Sequence, residues 1–375
     1  MNSKNWRVIA ILVLALSLLA AACGGDDEGD TATTAAPSGD TETTAAAMDD
    51  GEALKVAFVH VGPVADKGWS WAHDQGMRYL EENMNVETTF LESIPEGSDS
   101  QRVFEDLAAD GNQLIFGTSF GYMEPMLAAA ENFPDVAFMH ATGFMSSENM
   151  GNYFGAAEEG RYLTGMAAGA ATESNLIGYV AAFPIPEVLR GINAFTLGAR
   201  EVNPDAQVQV VWTSTWFDPP KEGTAAQSLL DAGADVIAMH QDSAAPGQAA
   251  EAAGAKWVGY NTDMTEFAPT AWLTAPVWDW GPFYLAQAQA VAAGTWEPTA
   301  YYGNMADGMV RLAPFGESVD ADTIALIEER QAQIIDGSFS VFPDPIVNQD
   351  GVEQPLGDIF GIDYFVEGVI GSPTG

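Results

Sequence analysis

Leu54-Lys55-Val56-Ala57-Phe58-Val59-His60, followed by Val61-Gly62-Pro63-Val64-Ala65-Asp66-Lys67-Gly68-Trp69, shows how this chain is built. A short run of branched and aromatic residues reads as a strand. The Gly-Pro-Asp-Gly loop breaks it. Helical spacing then begins at Trp69 and continues to Glu82. The same unit recurs downstream. Strands are predicted at Val86–Glu92, Gln113–Thr118, Val136–His140 and Asn152–Ala156, with helical patterns over Ser100–Asp110 and Glu124–Asn132 between them. Strands alternating with amphipathic helices imply a parallel sheet covered on both faces.

A second set follows at Leu176–Ala182, Gln207–Trp212, Asp235–His240, Lys256–Tyr260 and Ala271–Val277. Strand starts are 32, 27, 23 and about 16 residues apart in the first set, and 31, 28, 21 and 15 apart in the second. Shared rhythm without shared sequence predicts two doubly wound α/β lobes of one topology. In such sheets ligands lie at the carboxyl ends of the strands. Aromatics and carboxylates gather there: Asp66 and Trp69 after the first strand, and Ser119-Phe120-Gly121-Tyr122 after the third. In the second half stand Phe183-Pro184-Ile185-Pro186, Trp216-Phe217-Asp218 and Gln241-Asp242-Ser243. Exposed rings in such a place need a reason. A flat heteroaromatic ligand between the lobes supplies one, since stacking contributes roughly 1–3 kcal/mol per ring.

The beginning of the chain carries different information. Lys4 and Arg7 precede an unbroken apolar run, Val8 to Ala22, too short for a membrane span and suited to a secretory signal peptide over residues 1–22. Cys23, the only cysteine, ends that run as in a bacterial lipobox, although Ala20 stands where leucine is more usual. Acylation there would anchor the protein outside the cytoplasm and leave no internal disulfide. Residues 23–52, rich in Asp, Glu, Thr, Ala and Gly, read as a flexible acidic tether. With 53 acidic and 13 basic residues the formal charge is −40. That surface repels phosphate backbones and excludes nucleic acid as a partner. No cofactor motif is present.

Several motifs together, rather than any one, resemble a known family. They are Asp66-Lys67-Gly68-Trp69, Phe116-Gly117-Thr118-Ser119-Phe120-Gly121, Glu158-Glu159-Gly160-Arg161-Tyr162-Leu163-Thr164-Gly165, and Asp307-Gly308 with Leu312-Ala313-Pro314-Phe315. In order and spacing they are similar to the basic membrane protein family, solute-binding lipoproteins of ABC importers that include purine nucleoside receptors. The resemblance covers Leu54 to about Phe365. It implies the type I periplasmic-binding fold, with three crossovers joining the lobes. Lobe one would hold residues 53–156 and about 278–313; lobe two would hold 157–277 and about 314–375. It also implies a monomer that delivers a small molecule to a permease. A purine ring would lie between Trp69 and Trp216, with Asp66, Asn261 and Asp263 at matching ligand positions. Where nucleoside binders place a lysine near the ribose, this chain has Trp278, within Trp278-Asp279-Trp280-Gly281-Pro282-Phe283-Tyr284. That departure implies a free purine base such as adenine in preference to a nucleoside.

Blander readings stand beside these. Trp69 and Trp216 would serve equally as core residues, and Asp66 as a helix cap. His60, His140 and His240 end strands but lack the short paired spacing of zinc sites. Gly117-Thr118-Ser119-Phe120-Gly121 matches a nucleophile elbow, which makes a serine hydrolase acting through Ser119 the main rival. A ligand-sensing signalling lipoprotein is the other. The expectation is a binding protein with no catalytic residue and no metal.

Overall fold

The computed structural model describes residues 51–375. The expected signal peptide, Cys23 and nearly all of the tether lie outside these residues. Two six-stranded parallel sheets organise the remainder, each flanked by helices. The first contains β1 (Leu54–Val59), β2 (Val86–Leu91), β3 (Leu114–Gly117), β4 (Ala137–Ala141) and β5 (Met150–Gly155). The second contains β6 (Leu176–Ala181), β7 (Gln207–Trp212), β8 (Val236–His240), β9 (Lys256–Val258) and β10 (Trp272–Thr274). Inner strands such as β3, β4 and β5 are buried throughout, as sheets covered on both faces require. In β2, at the sheet edge, inward and outward positions alternate.

The loops after β4, β9 and β10 contain no α-helix; those after the other strands feed helices. These are α1 (Trp69–Asn83), α2 (Asp99–Ala109), α3 (Met123–Asn132), α4 (Ala157–Ala171), α5 (Pro186–Val202), α6 (Pro219–Asp231) and α7 (Ala245–Ala253). In α1, Trp69, Ala72, His73, Gly76, Met77 and Leu80 are buried, one face at helical period. Phe58 stacks on Phe116 at 4.8 Å to form the base of the first core. Trp257 meets Trp272 edge-on at 5.2 Å in the second.

The predicted strand Ala271–Val277 is two strands. β10 ends at Thr274, and β11 (Pro276–Trp278) leaves the sheet to pair antiparallel with β13 (Val310–Leu312). Pro276 cannot donate to the β9 ladder, so the chain turns out of the sheet there. Between them α8 (Gly281–Ala292) and β12 (Ala300–Gly303) return to the first sheet, where β12 pairs with β5. After α9 (Ala321–Ile335) and the small hairpin β14 (Ile346–Val347) with β15 (Glu353–Gln354), β16 (Val369–Ile370) closes the far edge of the second sheet. The chain thus passes between sheets three times: through α4, through β11, and through β13.

The pair of acids opening α4 does more than suit a helix N-terminus. Glu158 is buried and lies 3.2 Å from the Arg190 guanidinium of α5, and it accepts a bond from the Tyr302 hydroxyl of β12 at 2.8 Å. Glu159 accepts the Met305 backbone N–H at 2.7 Å. Glu158 therefore ties the crossover helix to elements of both sheets, and Glu159 ties it to the loop after β12.

Candidate functional site

Strand order in the first sheet is β12-β5-β4-β3-β1-β2, and in the second β10-β9-β8-β6-β7-β16. Order reverses between β1 and β3, and between β6 and β8. Loops leaving the strand ends there diverge and open a crevice. The two crevices face one another around a shared cavity. Lobe one contributes Val61, Trp69, Ser119, Phe120 and Thr142; lobe two contributes Glu187, Trp216, His240, Asp242 and Tyr260.

Trp69 is the first residue of α1 and is only 8% exposed. Its indole N–H donates to the Thr118 carbonyl at 2.6 Å, and its ring meets His73 edge-on at 4.3 Å. These contacts hold the ring plane before any ligand arrives. Trp216 comes from the loop after β7, is half-buried, and packs against Phe183 at 5.0 Å. Phe120 stands in a short 3₁₀ turn after β3.

The expected carboxylates divide into two groups. Asp242 lines the cavity, whereas Asp66, Asp218 and Asp263 do not. Asp66 accepts backbone N–H bonds from Gly68 (2.7 Å), Trp71 (3.0 Å) and Ser70 (3.1 Å), so it caps α1. Burial still pushes its pKa up to about 6. Asp218 caps α6 through the Lys221 N–H, and Asp263 is exposed and bonds its own turn at Thr265. Asn261 and Trp278 stand behind the cavity wall. The Trp278 indole N–H donates to Asn261 Oδ1 at 2.9 Å, and Asn261 Nδ2 donates to Asp242 at 3.1 Å. Because indole is a donor only, this chain fixes the Asn261 amide and with it the Asp242 carboxyl. Trp278 itself stacks on Trp280 at 4.9 Å.

Three polar residues at the cavity carried no sequence signal as ligand-facing groups, Thr142, Glu187 and Tyr260, whereas His240 was marked by its place at a strand end. Glu187 follows Ile185-Pro186 and reads as an ordinary first-turn acid; Tyr260 reads as the last residue of a strand. Thr142 Oγ1, His240 Nδ1 and the Tyr260 hydroxyl are buried with no partner within the protein. His240 lies 3.6 Å from Glu187, and burial holds its pKa well below the usual histidine value, so it is neutral. Burial pushes Glu187 up to about 7, against the pull of Arg190 and Arg161. Burial and the neighbouring Asp66 and Glu222 carboxylates raise Asp242 well above the usual range.

A carboxyl whose pKa is raised in the native state binds its proton more tightly there. Its stabilising contribution is full below the ordinary carboxylate range and is lost as pH climbs to about 7. The ligand-free protein should therefore lose on the order of 5 °C in Tm between pH 5 and pH 8. Glu187→Gln should recover part of that loss in scanning calorimetry. The same pH slope in both proteins would exclude Glu187 as a source.

No histidine serves Ser119 as a base. Its hydroxyl donates to Glu96 at 2.6 Å, while His140 Nε2 bonds the Ser119 backbone carbonyl at 2.7 Å and His60 Nδ1 bonds Thr118 Oγ1 at 3.1 Å. Among the described residues no group of three His, Cys, Asp or Glu is placed to hold a metal.

The lobes meet at one rim of the cavity. The Thr262 hydroxyl donates to the Lys67 carbonyl, and Lys67 Nζ lies 3.6 Å from Glu266. A Cβ on Gly68 would fall 2.2 Å from the Asp242 carbonyl oxygen. The two lobes are in direct contact along this rim.

Known proteins resemble the chain in sequence and in fold. It is 44% identical over 327 residues to a purine-binding protein of Brucella abortus, covering 85% of this chain and 93% of that protein. A putative ABC transporter glucose-binding protein of Haloferax volcanii is also 44% identical, over 86% of this chain and 81% of its own length. A solute-binding protein of an Aeropyrum pernix ABC transporter system superposes with a TM-score of 0.68 at 17% identity, over 76% of this chain and 92% of that one. A counterpart from Conexibacter woesei gives 0.62 at 23% identity, over 77% and 98%. These neighbours share the type I periplasmic-binding fold. Residues 53–340 match the family described as ABC transporter substrate-binding protein, PnrA-like, and the chain belongs to it.

Proposed function

We propose that this substrate-binding protein captures a free purine base, adenine foremost, between Trp69 and Trp216 and presents it to its permease. The observation carrying this reading is one cavity with an indole from each lobe in its wall. Trp278, standing where the family's nucleoside binders place a lysine near the ribose, favours a base over a nucleoside. Glu187 and Asp242 offer acceptors to ring and amino N–H groups. The purine-binding relative supports the same class. Family membership places the protein outside the cytoplasm, and no described helix is long and apolar enough to cross a membrane. We assign retention at the membrane to a lipid on Cys23, with residues 24–52 as tether and the protein acting as a monomer. Ligand touches both lobes only when they close, so it shifts the population towards the closed form.

The glucose-binding relative makes the competing ligand explicit. Calorimetric titration with adenine, adenosine and glucose separates them. Adenine should bind with a micromolar or lower Kd and adenosine at least about 10-fold more weakly, a difference of 1.4 kcal/mol. Glucose should give no heat. Saturable glucose binding with none for adenine would overturn the purine assignment while leaving the receptor fold intact.

A further inference from the structure

Among the described residues, Lys67, Ser93, Thr142, Asn175, Ser214 and Asn261 are the non-glycine positions with positive φ. Thr142, at φ +67°, is the one with a branched Cβ, the side-chain type least suited to that region. Gly143, its neighbour, is engaged elsewhere: a Cβ there would fall 1.9 Å from His140 Nδ1. The backbone of Thr142 is held by its N–H, which donates to the Tyr153 carbonyl at 2.8 Å. A strained backbone persists only where the surroundings over-determine it, and such positions gather at ligand clamps.

What the strain achieves is the placement of one hydroxyl. Thr142 Oγ1 is buried without a partner in the protein. The residue lines the ligand cavity and also a larger outer cleft bordered by Phe144, Tyr301 and Phe360. Thr142, with Phe120 and Glu187, therefore borders both spaces. An unpartnered buried hydroxyl is unfavourable unless something bonds it. We propose that Thr142 is a ligand contact, its hydroxyl bonding a ring-edge nitrogen or exocyclic group of the planar heterocycle in the cavity. A threonine hydroxyl both donates and accepts, so it fits either an N–H or a ring lone pair. This inference rests on the purine-receptor reading.

The test is titration of adenine into wild type, Thr142→Ala, Thr142→Ser and Thr142→Gly. Alanine should weaken binding about 10-fold, the scale of one lost hydrogen bond. Serine should stay within about 3-fold of wild type because it keeps the hydroxyl. Glycine should weaken binding like alanine while the ligand-free Tm holds or rises, since glycine accepts the backbone conformation. Wild-type affinity in Thr142→Ala, with adenine binding intact, would overturn this contact and leave the receptor reading standing. Equal losses in the serine and alanine variants would also overturn it, because packing would then be the cause. Absence of adenine binding in wild type would sink both.

Discussion

Gly68→Ala should abolish ligand capture, weakening adenine binding by more than about 100-fold, while both lobes stay folded. The reason is a backbone approach. Gly68 of lobe one lies against the Asp242 carbonyl of lobe two, and an added methyl would fall 2.2 Å from that oxygen. The contact cannot yield easily, because the Cβ is fixed to the Gly68 backbone and the atom that it meets is the main-chain carbonyl of buried Asp242. The lobes would have to part along this rim, breaking the Thr262 to Lys67 bond and drawing Glu187 and Asp242 away from Trp69. A ligand held by one lobe loses half of its contacts, and several hydrogen bonds and one stacked face together exceed 2.7 kcal/mol, or 100-fold. The added methyl meets the opposite lobe and not either sheet, so each lobe keeps its own fold and the variant should match wild type in circular dichroism. Small-angle scattering supplies a second readout: adenine should contract wild type and leave the variant unchanged. Wild-type affinity in Gly68→Ala would mean that the lobes do not close on ligand in this arrangement.

Why the fold could be read in advance, and the site only in part, follows from where each signal resides. Buried parallel strands must be runs of Val, Ile, Phe and Tyr, and those runs stand out at nearly equal intervals in both halves. β16 is two residues long and β12 is a short Tyr-Tyr pair ending at Gly303; neither carries enough period to be seen. The join of β10 and β11 was hard to see because Trp272 to Val277 is apolar apart from Thr274, and only Pro276 marks the turn. Strand exits rich in aromatics pointed to Trp69, Phe120 and Trp216, and all three line the cavity. Carboxylates were harder. Asp66, Asp218 and Asp242 look alike in sequence, yet two cap helices and one faces the cavity, since a backbone N–H and a ligand N–H attract the same group. Thr142 had no sequence signal at all. Its place is decided by backbone geometry and by the ring of His140 beside Gly143.

Trp216→Ala is the second decisive variant, expected to weaken adenine binding roughly 10–100-fold at unchanged stability. Its partner across the cavity would give a less clear answer. Trp69 is a buried residue whose N–H holds the Thr118 carbonyl and whose ring supports His73, so truncating it also removes core packing. Trp216 sits half-buried on a loop, touching Phe183, and its loss costs the fold little. In the proposed sandwich, what it removes is one face of a stacking pair. Stacking is indifferent to the ring's edge, so adenine and hypoxanthine should lose affinity by the same factor in this variant. Edge contacts behave oppositely: Glu187→Gln should change the ratio between the two bases, because it exchanges an acceptor for a group that also donates. Trp216→Phe keeps a flat ring and should restore most of the binding. An unchanged Kd in Trp216→Ala would mean that no ring is clasped between the lobes, and the cavity would then need a ligand held by its polar edges alone.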